Sequence, residues 1–290
     1  EAHYNSFRKL FKFFEKCFIL GVTATPLSSN IKLPMKDNYR ELIVGDSISS
    51  LIDKGFLAQA NVYSYDVGLQ TLKVGINGDY TVKSSEELYS NMSMQEKLLN
   101  AYMERSIGKK TLIFNNGINT SKEVYETFRN AGFPIKHLDN TTSKKDRKHI
   151  LKWFKHTPDA IVTSVSILTT GFDEPSVETI ILNRATKSLT LYFQMIGRGS
   201  RVLKNKSEFT VIDLGNNVAR FGNWSAPVDW KQLFRAPDFY FESLLSDEDI
   251  EREFKYQMPP DLRKKFANSK EVDFDVEEAY DKVIKKGLKS

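Results

Sequence analysis

The residues best suited to chemistry fall in short polar clusters. Thr169-Thr170-Gly171-Phe172-Asp173 and Gly197-Arg198-Gly199-Ser200-Arg201 combine hydroxyls, glycines, a carboxylate and two arginines. Asn115-Asn116-Gly117 and Asn183-Arg184 add amides and a further guanidinium. Hydroxyls and backbone N–H groups at helix starts bind phosphate oxygens. Arginine grips phosphate bidentately and keeps its charge. The chemistry these sets suit is recognition of phosphate groups. Taken singly, each has an ordinary explanation: Gly-Arg-Gly as a turn, Thr-Thr-Gly as a capped loop, Asp173 before Pro175 as turn chemistry. His137, His149 and His156 lack metal-ligand spacing, and the single cysteine, Cys17, argues against a zinc cluster.

These clusters need elements to position them. From about residue 91 the pattern alternates helix and strand. Strands are expected at 111–114, 134–138, 160–163, 177–182 and 209–214. Ser93-x-x-Glu96, Thr120-x-x-Glu123 and Ser143-x-x-Asp146 read as capping boxes that open helices. A further helix covers 188–196. Such alternation implies right-handed crossovers and a parallel sheet with helices on both faces. In an open parallel sheet, ligands sit outside the carboxyl ends of the strands, and the polar clusters all follow strands or the 188–196 helix. Upstream, 4–16 has helical spacing, 17–22 reads as a buried strand, 46–54 as a short helix and 61–85 as strands with an Asn77-Gly78 hairpin turn. Residues 222–240 are rich in Trp and Phe, with hydrophobic packing as the first explanation and a docking surface as the second. Residues 246–290 are charged and read as helical.

Composition narrows the class. The chain has 290 residues, 40% hydrophobic and 27% charged, which excludes wholesale disorder, collagen-like repeats and a disulfide scaffold. No apolar run reaches the length of about 18 residues that a membrane span requires. One cysteine fits a reducing compartment, and a cytoplasmic location, with nucleoid association, is expected. Lysine and arginine number 42 against 37 acids, for a net charge of +5. Residues 236–290 hold 10 basic and 14 acidic residues, so the first 235 hold 32 and 23, a net +9. A basic body with an acidic tail suggests a polyanionic partner for the body.

Order and spacing give the clusters more weight than they have alone. Glu1-Ala2-His3 resembles the end of a D-E-A-H box, and Thr23-Ala24-Thr25-Pro26 resembles the third motif of superfamily 2 helicases and translocases. Leu112-Ile113-Phe114-Asn115-Asn116 resembles the fourth motif. Ile161-Val162-Thr163 with Thr170-Gly171-Phe172-Asp173-Glu174-Pro175 resembles the fifth. Gln194-Met195-Ile196-Gly197-Arg198-Gly199-Ser200-Arg201 resembles the sixth. The match runs from residue 1 to about 215, and is nearest the DEAH-box group of DNA-repair and phage-type enzymes.

The resemblance implies a RecA-like α/β fold, with ATP and Mg²⁺ between two such domains. It implies a first-domain remnant over 1–60, a linker with hairpin over 61–90, the second domain over 91–215 and a mainly helical extension over 216–290. The phosphate-loop string G-x-x-x-x-G-K-[ST] does not occur in the chain, so the chain alone is expected to be inactive. Its N-terminal RecA-like domain counts among the expected partners, with single- or double-stranded DNA ahead of RNA. By resemblance, Glu1 would activate the attacking water, and Arg198 and Arg201 would reach the γ-phosphate. His3 and Gln194 would line the nucleotide site. Gly171 and Asp173 would contact ribose or an arginine of the sixth motif. Thr23 and Thr25 would couple the two sites. Asn116, Thr163 and Thr170 would hold the nucleic-acid backbone. The expected whole is the C-terminal portion of an ATP-dependent helicase or translocase. The alternative is an ATPase-inactive binding or interaction module.

Overall fold

The structure is a computed structural model that describes residues 5–14, 16–27, 34–76, 78–165, 167–169, 172–237 and 246. The chain divides into two units, Glu1–Ser47 with Pro227–Leu244, and Ile48–Ala226 with Leu245–Ser290.

The larger unit is built on one sheet. Its strands are β1 (Gln59–Ser64), β2 (Thr111–Asn115), β3 (Ile135–Leu138), β4 (Ile161–Val165), β5 (Thr179–Asn183) and β6 (Glu208–Asp213), in the order β1-β6-β5-β2-β4-β3. Every pairing is parallel. The apolar β-branched runs explain this. β2 and β5 are buried at every position, as strands covered on both faces must be. Ile113, Ile161, Ile181 and Ile212 point into one layer with Leu98, Ala101 and Tyr102 of α4 (Met92–Arg105) and Val124 and Phe128 of α5 (Ile118–Asn130). Tyr102, Phe128 and Phe133 pack there with ring centroids 5.0–6.0 Å apart. Strand alternation turns Leu112, Val162, Ile180 and Val211 to the opposite face, where they are also buried. The α/β parallel sheet expected from the sequence is thus the observed fold.

The boundaries differ in instructive ways. Residues 61–64, expected in a linker, belong to β1. β1 pairs along its whole length with β6 and forms the edge of the sheet. The hairpin at 74–80 is a single bridge, Val74 with Tyr80, closed by Gly75 N–H to Asp79 O at 2.8 Å. Asn77 lies outside the described residues. Residues 82–85, expected as strand, start helix α3 (Val82–Tyr89), because Thr81 Oγ1 accepts from Ser84 N–H at 3.3 Å and caps it. Residues 216–226, expected in the extension, pack on the sheet's unit. There α8 (Asn217–Phe221) is anchored by Asp213, and Trp224 meets Phe209 edge-on at 5.9 Å.

Two of the three capping boxes also shift. Ser143 does cap α6 (Lys144–His156), accepting from Asp146 N–H at 3.1 Å. α4 is capped instead by Asn91, whose Oδ1 accepts from Met94 N–H at 2.9 Å. α5 begins after Gly117, which has no side chain to cap with. Glu86 of α3 does this work from outside, accepting from Asn119 N–H and Nδ2 at 3.0 Å each. A Cβ on Gly117 would collide with that Glu86 side chain.

In the smaller unit are α1 (Asn5–Phe13), a 3₁₀ turn at Met35–Asp37 and α9 (Trp230–Arg235), with Lys36 Nζ donating to Arg235 O at 2.8 Å. Residues 17–22 were expected to form a buried strand. They form none: Phe18, Leu20 and Val22 are exposed, and no strand pairs with them among the described residues. An unpaired strand leaves its backbone groups unsatisfied, so apolar character alone does not make one. The expected helix over 246–290 lies outside the described residues, residue 246 excepted.

A polar seam crosses the carboxyl ends of four strands. Asn183 Nδ2 donates to Asn115 Oδ1 at 2.7 Å, and Asn115 Nδ2 donates to Thr163 Oγ1 at 2.8 Å. Thr163 Oγ1 meets Ser121 Oγ at 2.9 Å, which meets His137 Nδ1 at 2.9 Å. His137 Nε2 reaches Asp139 Oδ2 at 2.9 Å. Replacing Asn115 with Leu orphans buried polar groups on both neighbouring strands. The expected cost is about 2–5 kcal/mol, at roughly 1–3 kcal/mol for each unsatisfied group. Urea unfolding measures it, and a loss below about 1 kcal/mol would mean the seam is not a unit.

Candidate functional site

α7 (Leu189–Ile196) delivers the arginine-bearing turn. Ser188 caps it, and Tyr192, Phe193, Met195 and Ile196 are buried. The helix ends at Gly197, and Gly199 then lies against the buried ring of Phe209. A Cβ on Gly199 would collide with that ring. The turn therefore sits against the start of β6.

Arg198 and Arg201 are held in different ways. Arg198 Nε donates to Gln194 O at 3.3 Å, Nη2 to Thr169 O at 2.8 Å and Nη1 to Phe172 O. Its guanidinium thus braces the backbone of the loop that follows β4. Burial pulls its pKa below the usual arginine value. Repulsion from Arg201 adds to this, and Asp173 opposes it. Arg201 is the open one: Nε donates to Asp173 Oδ1 at 3.0 Å, with the two side chains 54% and 64% exposed. An exposed pair of this kind contributes about 0–1 kcal/mol. An incoming anion can therefore displace Asp173 at small cost.

Lys206 ties the parts together, and sequence reasoning did not find it. Only 7% exposed, its Nζ donates to Pro175 O at 3.0 Å, Gly199 O at 2.6 Å and Arg201 O at 2.8 Å. One ammonium thus fastens the turn carrying both arginines to the segment that follows Asp173. Its signal in the sequence is faint, a lysine five residues past the last arginine in a charged loop.

The other expected residues fall into three groups. Gln194 is half-buried in the last turn of α7, beside Arg198. Asn116 Nδ2 donates to Ser85 Oγ at 2.7 Å and Tyr80 O at 3.4 Å, so its amide secures the start of α3. Thr163 corrects its expected role: it is 0% exposed, with its hydroxyl consumed in the seam between Asn115 and Ser121. A strand lying on the rim cannot touch that hydroxyl. In the smaller unit, Thr23 Oγ1 accepts from Thr25 N–H at 3.1 Å and donates to Thr25 O at 3.2 Å, a local turn that buries Thr25. Glu1, His3, Thr170 and Gly171 lie outside the described residues.

At the carboxyl end of β5, the following loop carries a second cationic group. Arg184 is buried and its Nη2 lies 3.4 Å from Asp79 Oδ2. The same carboxylate accepts from Thr186 Oγ1 and Lys187 N–H, both at 2.8 Å. Arg220 Nη2 donates to Tyr80 Oη at 2.8 Å. At the β3 end, burial alone would raise the Asp139 carboxyl. Hydrogen bonds from Thr141 and His137 instead hold it well below the ordinary carboxylate range. Among the described residues, no group of three His, Cys, Asp or Glu could hold a metal ion.

Residues 92–202 match the helicase conserved C-terminal domain. Over 293 residues the chain is 26% identical to a 51.5 kDa protein of a Lactococcus phage (isolate 7-9), covering 98% of this chain and 62% of that one. Over 227 residues it is 26% identical to the candidate ATP-dependent helicase IRC3 of Saccharomyces cerevisiae, covering 73% and 33%. A fragment structure of a candidate HsdR subunit of a type I restriction enzyme from Vibrio vulnificus YJ016 superposes with a TM-score of 0.62. It is 22% identical, covers 76% of this chain and 44% of that one, and shows the shared fold. The chain thus spans less than two-thirds of the length of these curated relatives. The parallel sheet and these likenesses agree: residues 92–202 match the helicase conserved C-terminal domain and have a RecA-like fold.

Burial pushes the Lys206 ammonium down to about 8, against the opposing pull of Glu178. Unfolded, the amine titrates near 10.4. Between those values the unfolded chain binds more protons, so this group makes folding more favourable as pH rises through that window. An NMR titration of Nζ should give a midpoint near 8. A midpoint at the unfolded value would mean that three carbonyl acceptors outweigh desolvation.

Proposed function

We propose that the chain is the C-terminal portion of an ATP-driven nucleic-acid motor, a helicase or translocase, acting on DNA ahead of RNA. The observation that carries this reading is the arginine turn. Two guanidinium groups sit on one glycine-rich turn between α7 and the start of β6, one braced on the loop after β4 and one loosely paired with Asp173. The relatives named as ATP-dependent helicases support it.

The terminal phosphates of a nucleoside triphosphate fit this turn. Phosphoryl transfer needs its developing negative charge neutralised, and a planar fork does that bidentately. Arg201 supplies the contact by exchanging Asp173 for phosphate, which costs little because the pair is exposed. Arg198 holds Thr169 and Phe172 in register with it. Gln194 orients Arg198 from the preceding turn. Lys206 keeps both arginines and the Asp173 segment on one rigid frame. A finger that must meet phosphate held by another domain makes hydrolysis depend on closure. In this reading Glu1 activates water, His3, Thr23 and Thr25 relay closure, and Gly171 lies beside the nucleotide. Magnesium would neutralise charge on the phosphates. The described residues offer it no cluster of His, Cys, Asp or Glu ligands. Thr170 would bind the strand, while Asn116 and Thr163 act from behind by fixing the rim.

The test pairs turnover with strand binding in the enzyme that carries the phosphate loop. Arg201→Ala should lower stimulated kcat by ~10³-fold, the scale for arginine fingers, and leave nucleotide-free strand affinity within about twofold. Arg201→Lys should rescue poorly, because an ammonium lacks the planar fork. Arg198→Ala should lower turnover and also speed amide exchange across 167–173. Near-normal turnover in Arg201→Ala would remove it from the phosphate site. Parallel loss of strand affinity would place it on the wrong ligand.

A further inference from the structure

α6 carries an uncompensated basic stripe. Its thirteen residues, KKDRKHILKWFKH, hold six lysines and arginines, two histidines and one acid. Lys145, Lys148, His149, Lys152 and His156 recur at three- and four-residue steps, so they lie on one helical face, and all are exposed. The single acid, Asp146, is engaged at the cap: Ser143 Oγ donates to Asp146 Oδ2 at 2.6 Å. Among the described residues, none of these five side chains is in an ion pair with a carboxylate.

Such a face is unfavourable by itself. Lys148 with Lys152, Lys145 with Lys148, and Lys145 with the imidazole of His149 place like or potentially like charges one turn apart, which destabilises a helix. Surface helices ordinarily interleave acids with their bases. Here the fold instead reinforces the cation density. Lys136, on edge strand β3, holds its Nζ 4.7 Å from the Trp153 ring centroid beside the stripe. Lys110 Nζ fastens the far end of the helix by donating to Lys155 O at 2.9 Å. Phe154 pins the opposite face in the core.

Topology gives the stripe a direction. α6 follows the carboxyl end of β3, so its first turn stands at the same rim as the polar seam. Its body runs back along the flank toward the start of β4. From Lys145 to His156 the rise is about 16 Å, roughly the axial length of five nucleotides in a duplex strand. β3 is the sheet's outer strand, so nothing in the sheet lies beyond it.

We propose that the outer face of α6 is a second contact surface for the nucleic-acid backbone, taking the sugar-phosphate segment that leaves the rim past β3. The inference rests on the nucleic-acid reading above and adds a place to it. Contacts of this kind are to phosphates, so they raise affinity and salt dependence without base preference.

The test uses the full chain and two triple variants that remove the same charge. One is Lys145→Gln/Lys148→Gln/Lys152→Gln. The other, a control on exposed sites elsewhere, is Lys83→Gln/Lys122→Gln/Lys204→Gln. Fluorescence anisotropy follows dT₃₀ and U₃₀ strands and a duplex with a single-stranded end, across a salt series, with circular dichroism confirming folding. The stripe variant should lose at least tenfold in affinity. Its log–log salt slope on single strands should fall by about 2, from roughly 0.7 per lost contact. The control should stay within about twofold. The DNA and RNA arms show which backbone is preferred, and a loss in either supports the surface. Equal losses in both variants would reduce the stripe to net charge and overturn it. No loss in either would make it a solvated face and overturn it equally. If the unmutated chain binds no strand but binds polyglutamate, the partner is an acidic protein segment and the proposal fails. Absence of strand binding by the unmutated chain sinks the nucleic-acid reading itself, whereas unchanged binding by the stripe variant sinks only this surface.

Discussion

Because all six strands run the same way, each delivers its chain to one edge of the sheet, and the polar seam of this protein is a consequence of that edge. Parallel register then fixes neighbours: Asn115 stands beside both Val165 and Asn183, and His137 beside Thr163. Side chains at those ends meet across strands instead of along them. The seam from Asn183 to Asp139 uses this to lock four strand ends with hydrogen bonds of 2.7–2.9 Å. Low local dielectric strengthens such a chain when every member is satisfied and penalises it when one is lost. Most of the rim's polar groups are satisfied by each other, while Asn183 Oδ1 and Ser164 Oγ are buried without a partner among the described residues.

Rigidity behind and exchangeability in front are separate requirements, and the cations divide along that line. Lys206, Lys110 and Arg198 donate to backbone carbonyls, and burial lowers the pKa of each. Their bonds hold loops, and breaking them would strand both a charge and its acceptors. Arg201 has one exposed carboxylate partner. A ligand can replace that partner without leaving anything buried and unpaired. Two arginines of the same turn therefore have unlike energetics, and only the looser one can exchange its partner for another anion at small cost.

The sequence carried the sheet well and the site unevenly. β2, β4, β5 and β6 are short apolar runs followed by polar residues, and length with flanking chemistry was enough to find them. β1 was read as strand from residue 61 but placed in a linker, because an edge strand has one neighbour and a mixed burial pattern; α3 was missed because its cap, Thr81, directly follows a bridge. The run 17–22 failed in the other direction, since hydrophobicity specifies burial only where a partner strand exists. Arg198 and Arg201 were visible through glycines spaced around them. Thr163 was visible as a hydroxyl but not as a buried one, because a strand's carboxyl end serves ligand and neighbour alike. Lys206 was invisible for a physical reason. Its role depends on three carbonyls, which every residue has, so no residue type at any spacing announces it.

Net charge is a poor guide to any of this. The sum of +5 mixes cations that fasten the fold with those that face water, and the two groups respond oppositely to a polyanion. A buried ammonium such as Lys206 has no donor to offer and its field is spent on carbonyls within 3 Å. An exposed lysine on α6 has its counterion atmosphere to release, and release of that atmosphere is the main source of sequence-independent affinity. What matters for a strand is thus the density of exposed cations with no acid among them. On that measure the outer face of α6, with five basic positions and no carboxylate partner among the described residues, outweighs the arginine turn. The exposed cations of the turn and those of the flank are thus separate sets of side chains, and each can meet an anion without drawing on the other.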